Sequence, residues 1–173
     1  MEAWLYSSIH WLLAALALPS VGLSAIFIVA LISATLLPLG SEPAVFGYLQ
    51  IASDMFWPAV LVATAGNTTG GVISYGMGYG AEKAVERYRE KHPYRPRTPA
   101  GGRWHDYVTY WLHRLGPRAL LFSWLPLIGD PLCAVAGWLK MPLIPSIVYM
   151  AIGKFLRYAT MTAALLWFFP GKI

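Results

Sequence analysis

Hydrophobic and polar positions are arranged in long blocks along this chain. From Ala3 to Ser41 there is no Lys, Arg, Asp or Glu. Pro19 divides this block into two apolar stretches, at 4–18 and at 21–39. A helix needs about 20 apolar residues to cross a bilayer. We therefore predict that 21–39 spans the membrane, whereas 4–18 either forms part of a kinked span or lies at the interface.

Two later blocks are also predicted to span, at 59–80 and at 142–169. Glycines recur in the first of these at four-residue spacing, in the pairs Gly66–Gly70 and Gly76–Gly80. Such small-residue pairs let another backbone approach closely. This block has two interpretations: either its glycines pack against another helix and Asn67 forms an interhelical hydrogen bond, or the bare glycine face lines a path for a lipid or meets the tip of a re-entrant hairpin.

Two shorter apolar segments are interrupted by proline and glycine next to a lone acid. The first interruption reads Pro-Leu-Gly-Ser-Glu-Pro at 38–43, and the second reads Pro-Leu-Ile-Gly-Asp-Pro at 126–131. Proline removes a backbone donor and stops a helix from continuing. Interrupted segments in corresponding halves of a chain indicate an inverted-repeat transporter site. We predict re-entrant helical hairpins at about 38–53 and about 119–140.

Composition indicates an integral membrane protein. Of 173 residues, 57% are hydrophobic and 12% are charged, about half the charge of a soluble domain. Nine of the thirteen Lys and Arg residues lie between 82 and 118. This segment is predicted to be cytoplasmic, with anionic lipid headgroups rather than nucleic acid as its partner. The single cysteine, Cys133, excludes an intrachain disulfide.

The predicted fold is an all-α integral membrane protein with one membrane domain, 1–173. Its first half is 1–80. A basic cytoplasmic segment at 81–118 includes an amphipathic helix, predicted from Arg103 to Gly116. The second half, 119–173, ends in a span at about 143–169.

The candidate chemistry lies in the few charged residues of the apolar blocks. Lys154 and Arg157 share one face of the last span at i, i+3 spacing. An ionisable residue within a membrane segment is costly and points to a functional site. The two bases either pair with Glu42, Asp54 or Asp130 for stability alone, or converge with the acids on one site. No nucleophile–base pair, phosphate loop or metal-ligand spacing is present, so we predict no enzyme activity, cofactor or metal.

These motifs resemble the DedA superfamily, also called the VTT or SNARE-associated domain, and in particular its YqaA-like branch. The resemblance covers about residues 20–160. The matching segments are Pro38–Glu42, the glycine-rich span from Gly66 to Gly80, Ser123–Pro131, and Gly153–Tyr158.

This resemblance implies two re-entrant hairpins that meet from opposite faces of the bilayer, and movement of polyprenyl phosphate or phospholipid between leaflets. It implies that Arg157 and Lys154 bind the phosphate while Glu42 and Asp130 take up protons. Larger DedA proteins carry arginines where this chain has Ser123 and Gly129. Arg157 or Arg118 would then supply the positive charge.

The predicted function is therefore lipid translocation in a bacterial inner membrane, either proton-coupled or passive. The alternatives are a small ion or solute transporter, and a membrane scaffold that docks through the basic segment. The glycine faces could also mediate a homodimer. The residues predicted to bind or move the substrate are Glu42, Asp54, Asn67, Arg118, Asp130, Lys154 and Arg157.

Overall fold

The structure, a computed structural model, describes residues 19–35, 41–92, 110, 114–125 and 128–168. The α-helices in these ranges are α1 (Pro19–Thr35), α2 (Glu42–Ile51), α3 (Phe56–Lys91), α4 (Gly129–Trp138) and α5 (Leu143–Phe168). Two 3₁₀ segments, Ser53–Met55 and Gly116–Trp124, accompany them. The described ranges contain no strand, which confirms the all-α prediction for this part of the chain.

Prolines locate the beginnings of several helices. Pro43 is the second residue of α2, Pro58 the third of α3 and Pro131 the third of α4. The first turn of a helix tolerates proline because its N–H groups have no intrahelical acceptor. Helix α3 runs without a break from the predicted span at 59–80 into the basic segment that begins at 81.

Helix α3 is the centre of the described structure, and its first half packs against α1. A Cβ on Gly66 would overlap the carbonyl of Phe27, and a Cβ on Gly70 would lie 2.6 Å from the carbonyl oxygen of Leu31. These two glycines therefore bring the helix backbones into direct contact, and the prediction of helix packing at this pair is confirmed. Ser74 adds a hydrogen bond of 3.0 Å to the carbonyl of Ala34.

The second half of α3 packs against α4 in the same manner. A Cβ on Gly78 would overlap the Ala134 carbonyl, and one on Gly137 would overlap the Tyr75 carbonyl. In contrast, Gly76 and Gly80 have no atom of the described chain within 4 Å of a Cβ position. Gly78, rather than the predicted pair Gly76–Gly80, makes the close approach to α4.

The turn after α4 is fixed to α3 by an exposed ion-pair cluster. Lys140 has a positive φ of 53°, and its Nζ lies 2.8 Å from Glu82 and 3.0 Å from Glu86. Hydrogen bonds to these two carboxylates raise the pKa of Lys140 above its usual range. This cluster anchors the connection that leads into α5.

Two buried apolar clusters lie at different levels of the molecule. The first joins α1, α2, the start of α3 and Tyr158. The second joins Tyr75, the segment Gly116–Trp124, α4 and Met150. Because Met150 and Tyr158 belong to the same helix, the part of α5 between them passes from one cluster to the other.

Several predictions concern the membrane. None of the helices in the described ranges has the length together with the apolarity required of a single membrane span. The spans at 21–39, 59–80 and 142–169 and the two re-entrant hairpins therefore stay predictions. The stretch at 4–18 and most of the amphipathic helix at 103–116 lie outside the described residues.

Candidate functional site

Four charged side chains meet where the two apolar clusters adjoin. Glu42 is the first residue of α2 and Asp130 lies in the first turn of α4. Lys154 and Arg157 come from the middle of α5. All four residues are buried, with exposed fractions of 7% for Glu42, 9% for Asp130, 0% for Lys154 and 2% for Arg157. The structure thus brings together the acids of the two interrupted segments and the two bases of the last helix.

Arg157 lies between the two acids. Its Nε donates a hydrogen bond to Oε1 of Glu42. Its Nη1 is 3.7 Å from Oδ2 of Asp130, which is within ion-pair range but too long for a hydrogen bond. Among the described residues Nη1 has no hydrogen-bond partner, although it is buried. One guanidinium therefore serves carboxylates from both halves of the chain.

Lys154 pairs with the second acid and with Asn67. Its Nζ donates to Oδ1 of Asp130 at 2.9 Å and to the backbone carbonyl of Asn67 at 2.8 Å. It also donates to Oδ1 of Asn67. Gly71 makes this arrangement possible, because a Cβ there would lie 3.1 Å from Nζ and 2.5 Å from Sδ of Met150.

A neutral hydrogen-bonded branch links Asn67 to the beginning of α2. Nδ2 of Asn67 donates to the Tyr158 hydroxyl at 3.0 Å and to the Ala30 carbonyl at 3.3 Å. The Tyr158 hydroxyl also forms a hydrogen bond with Oγ of Ser41, the residue before Glu42. The charged pairs and this branch therefore form one connected set of polar contacts, to which α5 contributes Lys154, Arg157 and Tyr158.

The positions of the acids suit their charge. Each carboxylate lies in the first turn of its helix, where unpaired N–H groups and the helix dipole favour a negative charge. Two carboxylates and two cations give a net charge of zero when all four groups are ionised.

Two predicted site residues lie apart from this cluster. Asp54 is exposed in the short segment Ser53–Met55, and Arg118 is exposed in Gly116–Trp124. Among the described residues, no ion pair or hydrogen bond joins either of them to the four charged residues, so the suggestion that Arg118 supplies the positive charge has no support in this part of the structure. Within the same ranges no three His, Cys, Asp or Glu side chains are grouped as metal ligands.

Sequence reasoning did not assign a role to Ser41 or Tyr158. Tyr158 is four residues after Lys154, so helical spacing places it on the same face as the lysine. That spacing is the signal that could have identified it. For Ser41 the sequence offers only its place before an acid and a proline, which is common at helix starts.

The chain is similar to inner membrane protein YqaA of Escherichia coli K12, with 36% identity over 145 residues, covering 84% of this chain and 92% of the relative. The protein of the same name in Shigella flexneri gives the same values. A protein of Haemophilus influenzae Rd is 35% identical over 147 residues, covering 78% of this chain and 82% of its own length. No family model matches the chain, and no solved structure does.

These relatives support a membrane location for the chain. They also confirm the YqaA-like part of the resemblance, whereas membership of the wider DedA superfamily has no matching family model. The extent and identity of the match mean that the chain belongs to the family of inner membrane protein YqaA.

Proposed function

We propose that this protein moves a lipid with a phosphate headgroup, either a polyprenyl phosphate or a phospholipid, between the leaflets of the bacterial inner membrane. The observation that supports this most is Arg157, a buried guanidinium shared by Glu42 and Asp130 from opposite halves of the chain. Under this proposal the protein is a transporter and not an enzyme.

The energetic cost of the cluster argues for a role beyond stability. A buried ion pair often contributes no more than apolar residues of the same volume would, because both charges lose their hydration. This chain is apolar nearly everywhere else along α5. Two buried ion pairs in such a chain are better explained by a polar cargo than by folding alone.

The same cluster suggests how the cargo would bind. A phosphate that reaches Arg157 must displace a carboxylate, and it adds negative charge to a neutral site. Uptake of a proton by Glu42 or Asp130 would restore neutrality and release the guanidinium. Arginine then offers a planar pair of donors to phosphate oxygens, while the lipid tails stay in hydrocarbon. Proton-coupled transport would then respond to a pH gradient, whereas passive exchange would not.

The exposed end of α3 fits a membrane partner. Its basic side chains Lys83, Arg87, Arg89 and Lys91 are all exposed. Basic residues beside a membrane attract anionic headgroups, which agrees with a cytoplasmic location of residues 82–118. The uncovered pair Gly76 and Gly80 is our candidate for a homodimer contact.

The test is leaflet exchange in reconstituted vesicles, measured with a fluorescent phospholipid and a polyprenyl phosphate, with and without a pH gradient. We expect exchange by the parent and its loss in Glu42→Gln, Asp130→Asn and Arg157→Ala. Asp54→Asn and Arg118→Gln are matched controls, since they remove an acid and an arginine that lie outside the cluster. Both should retain exchange.

The outcomes separate lipid transport from its alternatives. A parent that moves neither lipid under either condition contradicts the proposal. Uptake of a small ion or solute that depends on Arg157 would then favour the solute transporter. If partner binding at the membrane is unchanged in the cluster variants and is abolished when the bases in 82–118 are removed, the scaffold is favoured instead.

A further inference from the structure

The two cations of the cluster differ in how many of their donors are already used. Lys154 Nζ has three N–H donors, and it contacts three acceptors: the Asn67 carbonyl at 2.8 Å, Asp130 Oδ1 at 2.9 Å, and Asn67 Oδ1. The residue has no exposed surface. Lys154 therefore has no donor left for an incoming ligand.

Arg157 has donors to spare. Its guanidinium carries five N–H donors, and Nε donates to Glu42. Nη1 is buried without a hydrogen-bond partner in the part of the chain that the structure describes. Asp130 Oδ2, at 3.7 Å, is close enough to attract the group but not to accept a hydrogen bond from it. A buried donor without an acceptor is unfavourable until a ligand supplies one.

Asn67 holds Lys154 in its place. Both oxygens of Asn67 accept from Nζ, while Nδ2 donates to Tyr158 and to the Ala30 carbonyl. With these partners the side-chain amide has one favourable orientation. Lys154 is thereby fixed between α3 and α4, with its charge directed at Asp130.

We infer that Lys154 is a positioning residue that holds Asp130 beside Arg157, and that Arg157 alone binds the phosphate of the transported lipid. This inference rests on the proposed function and specifies which cation binds the cargo. It departs from the sequence-based expectation, in which Lys154 and Arg157 bind the phosphate together.

The test removes each cation in a background from which its acid has already been removed, so that no variant leaves a carboxylate unpaired. Protein in phosphatidylcholine nanodiscs is titrated with geranyl phosphate, and the Kd is measured by calorimetry. Asp130→Asn is compared with Asp130→Asn/Lys154→Met, and Glu42→Gln with Glu42→Gln/Arg157→Gln.

We expect Lys154→Met to change the Kd by no more than about twofold in the Asp130→Asn background. The carboxylate that Lys154 positions has already been removed in that background. We expect Arg157→Gln to weaken binding by about tenfold or more in the Glu42→Gln background, because a charged donor is lost. Thermal unfolding checks that each variant is folded. Lys154→Gln, whose amide can still donate to Asn67, replaces Lys154→Met if the latter does not fold.

A loss of about tenfold or more on removing Lys154 would overturn the inference, because it would make Lys154 a ligand of the phosphate. If the parent moves lipid and removal of Lys154 weakens binding by this amount, the inference is overturned but the proposed function is not. A parent that neither binds geranyl phosphate nor moves lipid overturns the proposed function and the inference with it.

Discussion

The beginnings of α2 and α4 are two versions of one local structure. Both helices are ten residues long, and each has an acid followed by proline in its first turn. Both acids are buried and both reach α5. Their surroundings differ: Asp130 faces Lys154 at 2.9 Å and Arg157 at 3.7 Å, whereas Glu42 contacts only Arg157 among the described cations.

The residues next to the acids differ as well. Ser41 precedes Glu42 and bonds to the Tyr158 hydroxyl. Gly129 precedes Asp130, and a Cβ there would overlap the Ser123 carbonyl. The residue before Glu42 thus holds α2 through its side chain, whereas the residue before Asp130 holds α4 through close backbone packing. Similar sequence patterns can therefore place two carboxylates in different surroundings.

The largest effect is expected from Arg157→Gln, which removes the cation that both helices share. Breaking a buried ion pair from one side costs about 3–5 kcal/mol of unfolding free energy, because a carboxylate is left without its partner. Thermal unfolding in detergent measures this. The charge-balanced variant Glu42→Gln/Arg157→Gln should recover much of the loss. A single variant as stable as the parent would contradict the shared role of Arg157.

The next effect concerns the glycines that hold each helix to α3. Gly66→Ala should weaken the contact with α1 and Gly78→Ala the contact with α4, each by about 1–3 kcal/mol, because the methyl group would overlap a backbone carbonyl. Gly76→Ala is the matched control on the open face of α3. It should be neutral or stabilising by up to about 1 kcal/mol, since alanine favours helix. Equal destabilisation by all three would contradict this assignment.

A smaller difference should separate the two acids. Asp130→Asn should destabilise the protein by about 1 kcal/mol more than Glu42→Gln, because it removes the ion-pair partner of two cations instead of one. Chemical or thermal unfolding of both variants under the same conditions gives the comparison. If Glu42→Gln lowers the free energy of unfolding by more than Asp130→Asn does, the prediction from their contacts is wrong.

The last effect is expected from Tyr158→Phe, which removes only a hydroxyl. Asn67 and Ser41 each lose a hydrogen-bond partner, at a cost of about 1–2 kcal/mol. Tyr79→Phe, at a half-exposed position on α3, is the control and should leave the melting temperature unchanged. A Tyr158→Phe variant with the same melting temperature as the parent would show that the hydrogen bonds of the Tyr158 hydroxyl do not stabilise the cluster.

The sequence predicted the members of the cluster better than their arrangement. Glu42, Asp130, Lys154 and Arg157 could be singled out because each is a rare charge in an apolar block. Asn67 was identified because it is an uncharged polar side chain in an apolar block. Asp54 was included for its charge, and Arg118 as a replacement for the arginines of larger DedA proteins. The structure leaves both exposed and apart from the cluster. Charge type does not indicate which acid a distant base will reach.

The sequence by itself determined where helices begin and which residues are costly to bury. Prolines at 43, 58 and 131 restrict the backbone locally, and the scarcity of charge in the apolar blocks is a property of composition. Only the tertiary structure decided that Arg157 joins Glu42 and Asp130, that Asn67 holds Lys154, and that Gly78 rather than Gly76 meets α4. These contacts join residues far apart in the chain, and helix packing sets them to within an ångström, which no local pattern of residues encodes.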